Sequence, residues 1–187
     1  MDFEDFVAQI NDDGKRIDKV LRVLIPNSSL SEIYRLLRKN FIKVNDKKIK
    51  EDYRICKNDK ISIPKFALNQ NQDNSFSSKI NQHFYKLNFH PVFENEHILI
   101  LDKPYNLNVH GDEFSLESIV QDYYHSTRVD NSISFKPGPL HRLDKKTTGL
   151  VAFSMSLQGA RWFCKTIENK KKKKIYYTIM EGKIENS

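Results

Sequence analysis

The composition of residues 66–82 divides this 187-residue chain into two parts. Ten of those seventeen positions are Asn, Gln or Ser, with no apolar periodicity. Such a stretch buries too little apolar surface to offset the entropy of ordering it. It reads as a flexible linker over 65–82, so folding is expected on either side. The expected units are 14–64 and 83–187, with an acidic lead-in over 1–13 that should be loosely held. At 39% hydrophobic and 11% aromatic residues, the chain has enough apolar material for packed cores.

Upstream of the linker the pattern is helical. Ile17, Val20, Leu21 and Leu24 share one face, and Pro26 stops that helix. Ser29 offers an N-cap and forms a capping box with Glu32. Leu30, Ile33, Leu36 and Leu37 supply the core face of a second helix, running to about Asn40. Arg35, Arg38 and Lys39 share another face. Phe41–Asn45 alternates as a strand with Ile42 and Val44 inward, Asn45-Asp46 marks a turn, and Lys60–Ile63 is a second strand. From Gly14 to Lys50 eleven Lys or Arg face three acids, a net +8 that exceeds the +7 of the whole chain. Cations concentrated on one small unit suit contacts to phosphates, with Arg16, Arg35, Arg38, Lys39, Lys43, Lys47 and Lys48 as candidates. A merely solvated helix face is the plainer alternative.

Downstream, Ile98–Leu101 is an apolar run that suits a buried strand. It leads into D-K-P-Y-N-L-N-V-H-G, closed by Val109-His110-Gly111. Leu116, Ile119, Val120 and Tyr123 repeat at helical spacing. Pro139 to Leu150 reads P-L-H-R-L-D-K-K-T-T-G-L and runs into a strand at 150–154. Ala160, Phe163, Cys164 and Ile167 mark a helix face, Lys170–Lys174 follow, and Ile175–Glu181 alternates as a strand. Polar side chains crowded at a strand mouth suit a ligand site. The six histidines are dispersed without ligand spacing, and Cys56 and Cys164 are far apart, so no metal site is expected. No G-x-S-x-G elbow points to a serine hydrolase. The lone carboxylate Asp144 remains as the chemical candidate. Arg142, two residues away, would share its face in extended backbone. Whether that pair does chemistry or only tethers a loop is open on spacing alone. With neither a secretory signal nor an 18-residue apolar span, a soluble, cytoplasmic chain is expected.

Two resemblances bear on this. K-R-I-D-K-V-L, S-S-L-S-E-I-Y-R-L-L-R-K, I-K-V-N-D-K-K-I-K and N-D-K-I-S-I-P resemble the small RNA-binding module named after ribosomal small-subunit protein four. Asp46 stands where that module usually has glycine, and aspartate tolerates the left-handed turn conformation. H-R-L-D-K-K-T-T-G-L resembles the signature of the RluA-type pseudouridine synthases. D-K-P-Y-N-L-N-V-H-G is similar to the loop that precedes it, and K-I-Y-Y-T-I-M-E-G to a later K-x-Y strand. A basic module ahead of the synthase fold resembles the RluC and RluD branch. The resemblance implies an α+β protein: a small α/β RNA-binding module, then a mixed or antiparallel-sheet catalytic domain. It also implies uridine isomerisation in RNA without cofactor or metal, most naturally in large-subunit rRNA, by a monomer. Asp144 is then the catalytic residue, Arg142 helps hold the RNA open, Tyr176 stacks on the base, and His141 lies on the substrate side. Lys103 and His110 shape the site.

The chain also departs from the family. Thr148 replaces a usual serine, and Lys146 stands where aspartate is frequent. The family's later H-Q-I-R-V-H-like motif, whose basic residue pairs with the aspartate, has no counterpart here. The catalytic domain is therefore expected to be an incomplete, N-terminal portion. The alternatives to an active synthase are an inactive truncated fragment and a non-catalytic RNA-binding protein.

Overall fold

The computed structural model describes residues 2–68, 90–128, 132–169 and 173–182. In the N-terminal unit, strands β1 (Phe3–Val7), β2 (Lys43–Val44) and β3 (Lys60–Pro64) form an antiparallel sheet in the order β1-β3-β2. Phe3 pairs with Pro64 and Val7 with Lys60 on one side of β3, and Val44 with Ile61 on the other. Helices α1 (Ile17–Leu24) and α2 (Leu30–Arg38) complete the unit, and a short helix α3 (Lys65–Leu68) continues from β3. Ile17, Val20, Leu21, Ile33, Leu36, Leu37, Ile42, Ile61 and Ile63 form one core.

Local chemistry sets these boundaries. The Ser29 hydroxyl accepts from the Glu32 amide, satisfying one of the orphan donors at the start of α2. The Glu32 side chain does not return to the cap. It pairs instead with Arg35 at 3.4 Å, so the expected capping box is only half made. Leu30, expected in the core, is exposed at the first position of α2. Asn45 and Asp46 both take positive φ, 51° and 64°, in a two-residue hairpin turn closed by Val44 and Lys47. Asp59 gathers this corner, accepting from the Asn45 side chain, the Tyr53 hydroxyl and the Cys56 amide. Burial, together with donation to Asp59, pushes the Tyr53 hydroxyl up to about 12.

Two expectations about this unit need correction. The lead-in over 1–13 is not loosely held. Phe3–Val7 is a strand, and Asp12 is wholly buried. The strand's side chains are mostly exposed, and its ladder to β3 stabilises it, a non-local term that acidic composition conceals. The linker expected from residue 65 begins later, because 65–68 are helical and Ala67 is buried. The rest of that linker lies outside the described residues.

The second unit is a four-stranded antiparallel sheet of β4 (Phe93–Glu94), β5 (Ile98–Lys103), β6 (Gly138–Pro139) and β7 (Gly149–Ser154), in the order β4-β5-β7-β6. Ile98 pairs with Ser154 and Lys103 with Gly149. Alternation sends Leu99, Leu101, Val151 and Phe153 to one face. Helix α4 (Leu116–Thr127) covers them with Leu116, Ile119, Val120 and Tyr124. Tyr124, rather than the expected Tyr123, is the buried tyrosine. The other face carries Ile98, Ile100, Leu150 and Ala152. Helix α5 (Leu157–Glu168) lies at its end, capped by the Ser156 hydroxyl. A Cβ at Gly159 would lie 2.1 Å from the His97 carbonyl oxygen, so only glycine allows this approach of α5 to the start of β5. Cys164 and Ile167, expected on the packed face of that helix, are exposed.

Residues 175–181, expected as a strand, form none. They are irregular and exposed, and they pair with no described strand. Alternation yields a strand only where a neighbouring edge supplies hydrogen bonds. Among the described residues no helix is long and apolar enough to cross a membrane.

Candidate active site

The loop from His141 to Thr148 connects β6 to β7 and is held from both ends. At its start the Leu140 amide donates to the Ala152 carbonyl at 2.8 Å. The Ala152 amide in turn donates to His141 Nε2 at 3.1 Å. The imidazole thus takes the place of a ladder carbonyl, and its Nε2 must carry a lone pair. The ring also stacks on Phe163, with 8° between the planes. His141, expected on the substrate side, spends this nitrogen and this ring face on the fold.

At its far end the loop turns, the Thr147 amide donating to the Asp144 carbonyl at 3.0 Å. The Lys145 carbonyl accepts from Lys103 Nζ at 3.0 Å and from the Asn106 amide at 2.9 Å. Lys103 is fully buried, and its ammonium also donates to the carbonyls of Leu107, 2.8 Å, and Pro104, 3.0 Å. Three donors therefore meet three acceptors. Burial pushes this lysine below its ordinary value. Lys103 pins the loop after β5 to the residue next to Asp144. Its position at the end of an apolar strand was visible in the sequence; its burial was not.

Asp144 and Arg142 are both exposed. The ion pair that their spacing permits does not form. Among the described residues neither side chain has a hydrogen-bond or ion-pair partner.

Leu143, Lys146, Thr147 and Thr148 border a groove of about 1710 Å³ on the sheet face away from α4. Ile98, Ile100 and Ala152 form its floor. Trp162 and Phe163 of α5 line it, and so do Lys173, Lys174, Tyr176 and Tyr177. Trp162 is 57% exposed and Tyr176 62% exposed. The groove thus brings Tyr176 to the same concavity as the loop that carries Asp144. Trp162 was missed in the sequence. A usable signal was the run Ile98-Leu99-Ile100-Leu101, apolar on both faces and therefore asking for cover on both. Among the described residues no group of His, Cys, Asp or Glu gathers as a metal site.

On the N-terminal unit Arg35, Arg38 and Lys39 are exposed together at the end of α2, and Lys47 and Lys48 are exposed just past the hairpin turn. Lys43 is half-buried on β2. Arg16 is committed internally, its guanidinium gripping Asp18 at 2.8 and 3.1 Å. Burial raises the Asp18 carboxyl, but Arg16, Tyr34 and the Lys19 amide outweigh that and hold it below the usual range.

The chain matches two family models: RNA pseudouridylate synthase over residues 97–187, and S4 domain over residues 15–61. It is 27% identical to ribosomal large subunit pseudouridine synthase C of Vibrio vulnificus, across 97% of this chain and 57% of that one. To the protein of the same name from Pasteurella multocida it is 29% identical, across 90% of this chain and 50% of that one. The chain spans about half the length of these curated relatives. Among solved structures it is similar to human RNA pseudouridylate synthase domain containing 4, with 20% identity and a TM-score of 0.40. That alignment covers 49% of this chain and 34% of the other.

Proposed function

The chain belongs to the RluA-type pseudouridine synthases and carries an S4 module ahead of the synthase fold, and from this we propose that it isomerises uridine to pseudouridine in RNA, with large-subunit rRNA as the substrate and Asp144 as the reacting carboxylate. The observation that carries this reading is the placement of the 141–148 loop against an open groove lined by Trp162, Tyr176, Lys146, Lys173 and Lys174. Aromatic faces stack with unpaired bases and lysines meet phosphates, which suits a nucleotide taken out of its helix.

In the reaction the bond from ribose carbon 1 to uracil nitrogen 1 breaks. The base turns, and carbon 5 bonds to the same ribose carbon. The proton on carbon 5 leaves, and nitrogen 1 gains one. Asp144 either attacks the sugar or base as a nucleophile or removes a ribose proton as a base. Both routes need its ionised form. Arg142, exposed two residues away, helps hold the RNA open. Tyr176 stacks on the base. The cations Arg35, Arg38, Lys39, Lys47 and Lys48 hold the surrounding backbone, with Lys43 at their margin. The test is tritium release from rRNA labelled at uridine carbon 5. Release by the chain and its loss in Asp144→Ala are expected. Equal release by both proteins excludes Asp144 as the reacting group.

A second reading, a non-catalytic RNA-binding protein, is favoured by one observation. Asp144 has no side-chain partner to orient it among the described residues, whereas catalytic groups are ordinarily held by a supporting shell. Salt-sensitive filter binding of rRNA without tritium release would select it.

A further inference from the structure

Residues 11–15 form a contact surface that neither the synthase chemistry nor the cationic face uses. Its centre is Asp12, which is 0% exposed. Its carboxylate accepts five hydrogen bonds. One comes from its own unit, the Gln9 amide at 3.0 Å. Four come from residues 120 or more positions away: the Ser132 hydroxyl at 2.8 Å, the Ile133 amide at 3.0 Å, the Ser134 amide at 3.0 Å and the Ser134 hydroxyl at 2.8 Å. A buried carboxylate is tolerated only when its oxygens are saturated, and here the second unit supplies most of that saturation.

The neighbours of Asp12 reinforce it. Asn11 Oδ1 accepts from the Leu157 amide at the start of α5. The Asp13 carbonyl accepts from Arg161 at 2.6 Å. Gly14 takes a left-handed φ of 75°, and a Cβ there would meet the Arg161 guanidinium at 2.6 Å. Lys15 donates to the Ser134 hydroxyl at 3.0 Å and lies over the Phe135 ring. Ile133 packs against the core of the N-terminal unit.

We infer that Asp12 is a positioning residue that latches the basic module onto the synthase fold, so that the cations of α2 and the Asp144 loop hold one RNA at a fixed spacing. The latch stands on the geometry; its consequence for RNA rests on the function proposed above. A module joined only by a linker raises the local concentration of RNA but imposes no distance on it. A latched module excludes targets whose uridine lies at the wrong distance from its phosphate contacts. Asp12 would then help to choose the substrate without touching it.

The chain carries its own probes. Cys56 and Cys164 are its two cysteines, both exposed, one in each unit. Nitroxides on them report the distance between the units by pulsed electron double resonance. The intact chain is expected to show one narrow distance. In Asp12→Asn, and independently in Ser132→Ala/Ser134→Ala, the distribution should broaden several-fold while the amide spectrum of each unit persists. A broad distribution in the unaltered chain overturns the latch, and so does a narrow one in both variants. If Asp12→Asn unfolds its own unit, the serine pair on the opposite side decides alone. Filter binding with an rRNA fragment separates the two ideas. A narrow distance without RNA binding keeps the latch and removes the RNA reading.

Discussion

In the N-terminal unit β3 is buried at every position from Ile61 to Pro64, between two partner strands and beneath two helices. In the second unit α4 covers one face of β5 and β7, while on the other Ile98 and Ala152 are buried beside α5. On the other face Leu150 and Trp162 stay exposed around a groove. A closed core leaves only its outer surface for recognition, and here that surface carries exposed cations. A half-covered sheet keeps a concave apolar floor beside a polar loop, the arrangement that can hold a base. Under the function proposed above, the two units would suit different parts of one nucleotide.

That contrast can be broken at several points, and the largest effect is expected in the covered cores. Phe153→Ala and Ile33→Ala each remove a fully buried side chain, one per unit, and should cost about 3–5 and about 2–5 kcal/mol respectively in thermal unfolding. Lys103→Met comes next. It leaves the buried Leu107 carbonyl and the half-buried Pro104 carbonyl without the lysine donor, a loss on the order of 3 kcal/mol. Its signature is faster hydrogen exchange at the Asn106 and Thr147 amides, with the N-terminal unit unaffected.

Acid should act mainly through the N-terminal unit and its latch. Burial raises the Asp12 carboxyl, but hydrogen bonds from Gln9, Ile133, Ser134 and Ser132 outweigh it and hold it low, as Asp18 is held. A depressed folded value means that the stabilisation is complete above the ordinary carboxylate value, about 4, and is lost as pH falls through the lower folded value. Unfolding followed against pH should show this loss, and Asp18→Asn should flatten part of it. The smallest effect on stability is expected at the open face. Trp162→Ser should change unfolding by no more than about 0.5 kcal/mol. If the groove holds a base, the same change should weaken RNA binding by about 1–3 kcal/mol. A large stability loss there would mean that the face is not open.

Much of the fold was legible because short-range rules produced it. The 3.6-residue period marked α1 and α2, Ser29 marked a helix start, and Asn45-Asp46 marked a left-handed turn that backbone sterics restrict to few residue types. What misled were signals whose meaning depends on a distant partner. Phe3–Val7 looked like a charged tail and is a strand because β3 offers it an edge. Ile175–Glu181 looked like a strand and finds no edge among the described residues. In the site, the polar cluster around Asp144 could be read from the string of residues. Whether Arg142 pairs with Asp144 could not, because spacing permits the pair and only the folded backbone decides it.

The sequence by itself determined α1 and α2, the apolar strands β3, β5 and β7, the left-handed turn at Asn45-Asp46 and the concentration of cations between Gly14 and Lys50. All of these follow from periodicity, turn sterics and charge, which act over a few residues. Tertiary structure alone decided that Lys103 is buried under three carbonyls, that His141 serves a strand amide, that a groove lies on one sheet face and that Asp12 joins the two units. Each of these depends on groups brought together from far along the chain. Whether a polar atom is buried, satisfied or free is a property of that assembly, not of the residue.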